Sequence, residues 1–141
     1  MEDTNCIFCK IIRGELPALK VYENDTLIAF LDIQPVNKGH TLIIPKKHYR
    51  NLYNLPDEIL GKIGILMRDL AIAIKKAVGA EGINIEMNNE SLAGQLVDHA
   101  HIHIIPRFLN DGLRHWPGKE LPSDEMKKTR EVIVSLIKKN T

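Results

Sequence analysis

Three histidines alternate with apolar residues late in the chain, in the run His99-Ala-His101-Ile-His103. Successive side chains of a β-strand point to opposite faces, so this spacing predicts a strand with three imidazoles on one face, roughly 6.6–7 Å apart. Ala100, Ile102 and Ile104 then face the other side as core residues. A core strand does not normally devote one face to imidazoles. The run therefore indicates a sheet that presents a row of rings for metal binding or for catalysis.

The remaining hydrophobic patterns predict the elements around this strand. Residues 6–14 favour a short turn or one helical turn, and a long apolar periodicity from Pro56 to Gly79 predicts one long helix. A second helix over about 123–139 is expected to bury an apolar stripe of Met126, Val132, Ile133, Leu136 and Ile137. Strands are predicted at residues 19–23, 26–32, 40–44, 83–87 and 99–108. The fold class is therefore α+β, with an antiparallel sheet of about five strands, one long helix and a C-terminal helix.

Length and charge narrow the possible functions. A chain of 141 residues predicts one domain over residues 1–141. The net charge of +1 drives no attraction to nucleic acid or to an anionic membrane, so any phosphate must be held by a local site. No run approaches the ~20 apolar residues of a membrane span. The opening residues lack a signal-peptide pattern, which favours a cytoplasmic location.

Several motifs together resemble those of the histidine triad (HIT) superfamily. The histidine run is followed by Ile104-Ile105 and Pro106-Arg107, and is preceded by Ala93-Gly94-Gln95. Earlier runs that fit the family are Ala29 to Ile33 and Gly39 to His48. The resemblance covers a core of about residues 6–118, and it implies a HIT-like fold.

The resemblance also implies an active site. It assigns His101 as the nucleophile, with Nδ1–H held by a backbone carbonyl and Nε2 free to attack an α-phosphorus. A neutral imidazole suits this role because its unperturbed pKa lies near 6.5. His103 would contact the phosphate, and His40 would join the hydrogen-bond network behind the triad.

A nucleotide pocket follows from the same resemblance. Asp32 matches the position that accepts the ribose hydroxyls, and Ile33 and Phe8 would line the base site. The segment 88–95 matches the phosphate loop, and the expected nucleotide contacts are Asn88, Gly94 and Gln95 within it and Leu96 directly after it. Two positions depart from the family: Leu96 replaces a usual Ser or Thr, and Glu90 replaces a common Gly.

The pair Cys6 and Cys9 predicts a metal site or a redox pair, and no thioredoxin-like pattern follows it. Some members of the HIT superfamily combine such a pair with two histidines to hold zinc, and the resemblance matches those histidines to His48 and His99 here. Two thiolates and two imidazoles complete a tetrahedral zinc shell with no open position. The zinc would therefore be structural.

The function implied is hydrolysis at the α-phosphate of purine nucleoside phosphoramidates or related nucleotidyl conjugates, through a covalent nucleotidyl-histidine. The expected substrate is an AMP- or GMP-like nucleotide derivative, and Asn88 favours the Hint type within the family. The alternatives are a Fhit-like diadenosine polyphosphate hydrolase and a nucleotide-binding regulatory scaffold with weak catalysis. A homodimer is expected, because cyclic dimers are the commonest oligomers and such relatives form them.

Overall fold

Five strands form one antiparallel sheet in a computed structural model that describes residues 5–140. The opening residues on which the absence of a signal peptide was predicted lie mostly outside this range. In chain order the strands are β1 (Lys20–Glu23), β2 (Leu27–Leu31), β3 (Thr41–Pro45), β4 (Gly82–Glu86) and β5 (Ile102–Arg107). The helices are α1 (Ile7–Ile12), α2 (Asp57–Val78) and α3 (Ser123–Asn140). The sheet order is β1-β2-β3-β5-β4, with every neighbouring pair antiparallel, so the predicted α+β class is confirmed.

The sheet has two apolar faces, and both are covered. One face packs against the long helix α2, and its buried residues include Ala29, Ile43, Ile102 and Ile104. The other face packs against the short helix α1, where Phe8 of the helix is buried together with Ile28, Phe30, Leu42 and Ile44 of the sheet. The helix α1 therefore lies on the face from which the triad imidazoles project.

The ends of helix α2 are stabilised by charged residues in its first and last turns and by a glycine after its last residue. Asp57 and Glu58 stand in the first turn and Lys75 and Lys76 in the last, each favourable to the helix dipole. Gly79 ends the helix in the left-handed conformation, with φ of +68°. That conformation is natural for a glycine and costly for other residues.

The histidine run departs from the predicted strand of residues 99–108. The strand β5 begins only at Ile102, so His99 and His101 precede it and His103 lies within it. The reason is a hydrogen bond from Ala100 N to Tyr49 O at 2.7 Å, which joins this backbone to a loop instead of a neighbouring strand. His99 lies in a cluster with Cys6, Cys9 and His48, whereas His103 lies with Asp32 and His40. The ring of Phe8 in α1 packs against both His99 and His101.

The chain divides into two compact units, one ending at Asp111 and one beginning at Gly112. The helix α3 forms in the second unit over nearly the predicted residues. Its apolar stripe is not buried, because each of its five residues is more than half exposed: Met126, Val132, Ile133, Leu136 and Ile137. Within residues 5–140, no helix combines the length and hydropathy needed to cross a membrane.

Candidate active site and metal centre

His101 is held with one ring nitrogen bonded and the other directed away. Its Nδ1 lies 2.7 Å from the carbonyl oxygen of His99, and a carbonyl only accepts, so Nδ1 carries the hydrogen. A neutral ring then has its lone pair on Nε2. Phe8 packs against the ring in a T-shaped arrangement, with centroids 5.1 Å apart. Burial lowers the pKa of His101, which keeps the ring neutral.

His40 and His103 are joined by a direct hydrogen bond. Nε2 of His40 lies 2.9 Å from Nδ1 of His103, and Asp32 Oδ2 lies 3.6 Å from the same His40 nitrogen. Burial lowers the pKa of His40, although the charges of Asp32 and Glu86 oppose it. Burial, aided by His101 and His40, lowers the pKa of His103 to about 4. Both rings are therefore neutral near pH 7.

A glycine stands directly before His40, at the entry to β3. Gly39 has a φ of +89°, and a Cβ built there would lie 2.9 Å from Val78 Cγ1 and 3.3 Å from Pro106 Cγ. A side chain at this position would be strained at this φ and would require Val78 to shift. The Gly39-His40 pair thus places a buried imidazole directly behind His103.

An apolar cleft of about 590 Å³ opens beside these rings. Its volume lies in the usual range for small-molecule sites. Predicted site residues in its walls are Phe8, Asp32, Ile33, His40, Leu96, His101 and His103. Wall residues that the sequence reasoning missed include Ile11, Pro17, Phe30, Val36 and Leu42. Their only sequence signal was apolar character, which core residues share.

The predicted phosphate loop lies beside the cleft but outside its walls. Asn88 is half-buried, and its Nδ2 lies 3.5 Å from Gly94 O. Gly94 has a φ of +99°, and a Cβ there would lie 3.3 Å from Asn88 Nδ2. These two residues thus shape one turn of the loop, and their contact with nucleotide stays a prediction.

The side chain of Gln95 bonds to backbone groups of the protein, and its nucleotide contact stays a prediction. The residue is buried, and its Oε1 accepts from Glu90 N at 2.8 Å. Its Nε2 donates to Arg50 O at 2.6 Å and to Val97 O at 3.0 Å. Because these polar atoms all bond to backbone, the side chain fastens the loop and does not face the cleft.

The four predicted metal ligands converge at a second site. Cys6 Sγ lies 3.4 Å from His99 Nδ1, and Cys9 Sγ lies 3.3 Å from His48 Nδ1. All four donor atoms lie within 4.8 Å of one another. With Zn–S near 2.3 Å and Zn–N near 2.0–2.1 Å, tetrahedral geometry requires a sulfur–nitrogen separation of roughly 3.5 Å. The cluster of Cys6, Cys9, His48 and His99 therefore fits a zinc ion.

The surroundings of the cluster support the same fit. Nε2 of His99 donates to Pro45 O at 2.8 Å, which leaves the Nδ1 lone pair facing the sulfurs. Burial lowers the pKa of His99 to about 4, so the ring is available as a neutral ligand. Burial raises the pKa of the Cys6 thiol, and a bound zinc would supply the charge that stabilises its thiolate.

The fold and site agree with known proteins. The HIT domain matches residues 13–110. The chain belongs to the HIT family. It is 51% identical over 107 residues to an uncharacterised HIT-like protein of Methanocaldococcus jannaschii, covering 76% of this chain and 82% of that one. It is 42% identical over 136 residues to an adenosine 5′-monophosphoramidase of Schizosaccharomyces pombe, covering 95% of this chain and 99% of that one.

Solved structures of HIT proteins share the fold. A protein from Streptococcus mutans superposes with a TM-score of 0.91 at 39% identity, covering 96% of this chain and 87% of that one. A zinc-bound histidine triad protein from Mycobacterium smegmatis gives a TM-score of 0.74 at 35% identity, covering 82% of this chain and 84% of that one.

Proposed function

We propose that this HIT protein hydrolyses purine nucleoside phosphoramidates by way of a nucleotidyl intermediate on His101. The observation that carries the proposal is the fixed ring of His101, whose Nδ1–H is bonded to His99 O while its Nε2 lone pair remains free beside the cleft. A relative 42% identical is named an adenosine 5′-monophosphoramidase. Another, from Arabidopsis thaliana and 41% identical, is named an adenylylsulfatase.

The proposed chemistry has two balanced steps. In the first, the Nε2 lone pair of His101 forms a bond to the α-phosphorus, the phosphorus–nitrogen bond to the leaving amine breaks, and the amine takes up a proton. In the second, water attacks phosphorus, the bond to His101 breaks, and the nucleoside monophosphate leaves. The water loses one proton, so the sum is the amine and the monophosphate.

The other site residues are proposed to orient the nucleotide. Asp32 lies in the cleft wall and is half-buried, which suits a carboxylate that accepts from ribose hydroxyls. Ile33 and Phe8 contribute apolar surface for a base. His103 would hold a phosphate oxygen, and His40 would hold His103.

The zinc is proposed to be structural. Its ligands would join the α1 end of the chain to the segment after β3 and to the start of the histidine run. The same segment also accepts two hydrogen bonds, from Ala100 N to Tyr49 O and from Gln95 Nε2 to Arg50 O. Zinc would hold His48, and the two hydrogen bonds hold residues 49 and 50. Together they would fix three consecutive residues against the histidine run and the predicted phosphate loop.

A homodimer is proposed from exposed apolar residues near one edge of the sheet. Ile65 and Ile72, seven residues apart on α2, are 59% and 54% exposed, and Ile85 of the edge strand β4 is 45% exposed. Light scattering at micromolar concentration is expected to give twice the chain mass, and a monomer would contradict the proposal.

The substrate is tested by comparing an adenosine phosphoramidate with diadenosine polyphosphates on the purified protein and on His101→Ala. The proposal expects preferred turnover of the phosphoramidate and a loss of turnover in the variant, with nucleotide binding retained. Preference for the polyphosphate would favour a Fhit-like hydrolase. Binding without turnover of either substrate would favour a regulatory scaffold.

A further inference from the structure

A backbone N–H lies directly behind the pair of imidazoles at the cleft. The loop between β2 and β3 folds back on itself, and the amide nitrogen of Val36 lies 3.0 Å from Nδ1 of His40. His40 is buried, with 3% of its surface exposed. The loop is fixed by Asn37, whose Nδ2 donates to Pro106 O at 2.9 Å and to Asp111 Oδ2 at 3.0 Å.

This contact determines which nitrogen of His40 carries the hydrogen. A backbone N–H can only donate, so Nδ1 of His40 must accept with its lone pair. The neutral ring then carries its hydrogen on Nε2. That nitrogen lies 2.9 Å from His103 Nδ1, which must accept in turn. The hydrogen of His103 is consequently on its Nε2.

We propose that Val36 is a positioning residue whose backbone N–H sets the tautomer of His40 and, through it, of His103, so that His103 offers the substrate phosphate an Nε2–H donor. The inference rests on the proposed function and deepens it. The two rings at the cleft then differ: His101 offers a lone pair to phosphorus, while His103 offers a hydrogen to a phosphate oxygen.

The opposite tautomer would impair the site. With the hydrogen on Nδ1 of His40, that ring would donate nothing to His103, and His103 would turn a lone pair toward the anionic phosphate. The loss of one hydrogen bond to a charged group lowers a rate about ten- to a hundredfold. Phosphate binding at the cleft therefore requires the ring hydrogens of His40 and His103 on Nε2, which is the arrangement that the Val36 amide favours.

The hydrogen bond from Val36 N to His40 Nδ1 also disfavours a metal ion at Asp32, His40 and His103, whose donor atoms lie close together. A metal on Nε2 of neutral His40 would move the ring hydrogen to Nδ1, where it would face the N–H of Val36. The Val36 amide thereby favours phosphate binding over metal binding at these residues.

The side chain of Asp32 is the competing cause of the tautomer. Its Oδ2 lies 3.6 Å from Nε2 of His40 and would also favour a hydrogen there. Replacing the amide of residue 36 by an ester removes the N–H of Val36 and leaves Asp32 in place. The substitution puts an ester oxygen where the nitrogen was, so the two causes are separable without changing any side chain.

The experiment is nitrogen NMR of the zinc-loaded full chain with ¹⁵N-labelled histidine, which distinguishes protonated from unprotonated ring nitrogens. In the parent protein, both His40 and His103 are expected to carry their hydrogen on Nε2. The ester protein is expected to move the hydrogen of His40 to Nδ1 and to lower kcat about tenfold or more, with a smaller change in KM. The Val36→Ala variant keeps the amide and is expected to keep both tautomers.

Two results would overturn the inference: a hydrogen on Nδ1 of His40 in the parent protein, or tautomers unchanged in the ester protein. Either result would stand even if the enzyme hydrolysed phosphoramidates. Absence of hydrolysis together with the expected tautomers and their shift in the ester protein would instead contradict the proposed function, and would support the assignment of Val36.

Discussion

Gln95 Nε2 donates a hydrogen bond of 2.6 Å to the backbone oxygen of Arg50, two residues beyond the predicted zinc ligand His48. The other end of the same amide accepts from Glu90 N at 2.8 Å. A single buried side chain thus connects the segment that carries a metal ligand to the loop expected to meet phosphate. The arrangement of the loop therefore depends on residues far from it in sequence.

Replacing Gln95 by Leu is expected to lower the free energy of unfolding by about 1–3 kcal/mol, because buried backbone groups lose their partners. KM for the nucleotide substrate is expected to rise as the loop moves. Urea unfolding and steady-state kinetics measure the two effects. Asn89→Ala is the matched control, because its Oδ1 accepts from Leu52 N at 2.8 Å between the same segments but at an exposed position. Equal small effects from both variants would show that Gln95 does not hold the loop.

Glu90 adopts a backbone conformation that favours glycine, with φ of +75° and ψ of +153°. Such strain costs of order 1–3 kcal/mol in a residue with a side chain. Glu90→Gly is therefore expected to raise the free energy of unfolding by about 1 kcal/mol, after allowing for the entropy of glycine. Thermal unfolding with the metal site filled measures the gain.

Asn110 provides the control for this stabilisation. It is the other non-glycine residue of the described chain with positive φ, at +62°, which asparagine tolerates in the left-handed region. Asn110→Gly is expected to give no gain. A gain equal to that of Glu90→Gly, or a loss from the latter, would refute the strain at Glu90.

Leu96 stands at the rim of the cleft, 93% exposed, and lines both the cleft and a smaller cavity of about 290 Å³. A hydroxyl at this position can bond the departing group, whereas leucine offers no donor. Leu96→Ser is expected to raise kcat more than it changes KM, because the new bond acts in the transition state. The gain is expected to be larger for an amine leaving group than for a phenolate. Equal gains, or none, would place Leu96 outside the reaction path.

The stability of the protein is expected to decrease in mild acid. The pKa of His103 in the fold is about 4, whereas an unfolded histidine titrates near 6.5. As the pH falls, the unfolded chain therefore binds the proton before the folded protein does. The free energy of unfolding decreases between about pH 6.5 and about pH 4. The decrease due to His103 is at most about 1.4 kcal/mol per pH unit.

Comparison with His103→Asn isolates the contribution of His103 to the pH dependence of stability, since both proteins keep the metal ligands. The groups around His103 are His40, His101 and Asp32, together with Glu86 opposite it on β4. Urea unfolding across the same pH range is expected to show a steeper loss in the parent protein than in the variant. Parallel curves would mean that His103 does not titrate below the unfolded value.

Purified protein is expected to carry about one zinc per chain, because the four converging ligands fill a tetrahedral shell. Cys6→Ser and His48→Ala are each expected to lower both the zinc content and the melting temperature. The matched control is His115→Ala, whose histidine lies outside the cluster and is expected to leave the zinc content unchanged. Metal analysis that finds no zinc after purification without chelators would contradict the site.

The sequence predicted the fold class and the separate elements because their signals are local. Periodicity located α2, and Gly79 marked its end. The start of β5 could not be predicted, since it depends on a hydrogen bond between Ala100 and Tyr49, fifty-one residues apart. The burial of the α3 stripe was wrongly expected, because an apolar pattern shows what a helix could bury and not what covers it.

The candidate site was predicted at the level of residue types and not of contacts. Motif resemblance selected Cys6, Cys9, His48 and His99, and the structure brings their donor atoms together. It could not show that Gln95 bonds to backbone, because a glutamine in a loop has the same sequence signal in either role. The N–H of Val36 left no signal, since every residue except proline has one.

The covalent intermediate on His101 is tested most directly by a single-turnover reaction with adenosine phosphoramidate, quenched in alkali within milliseconds and analysed by peptide mass spectrometry. Phosphorus–nitrogen bonds of histidine survive alkali better than acid, so the adduct can be located. The account predicts one adenylyl group on the peptide containing residue 101, assigned to His101 by fragmentation, which appears before the bulk of AMP and decays as AMP forms. AMP formation without a protein adduct, or an adduct on another residue, would contradict it.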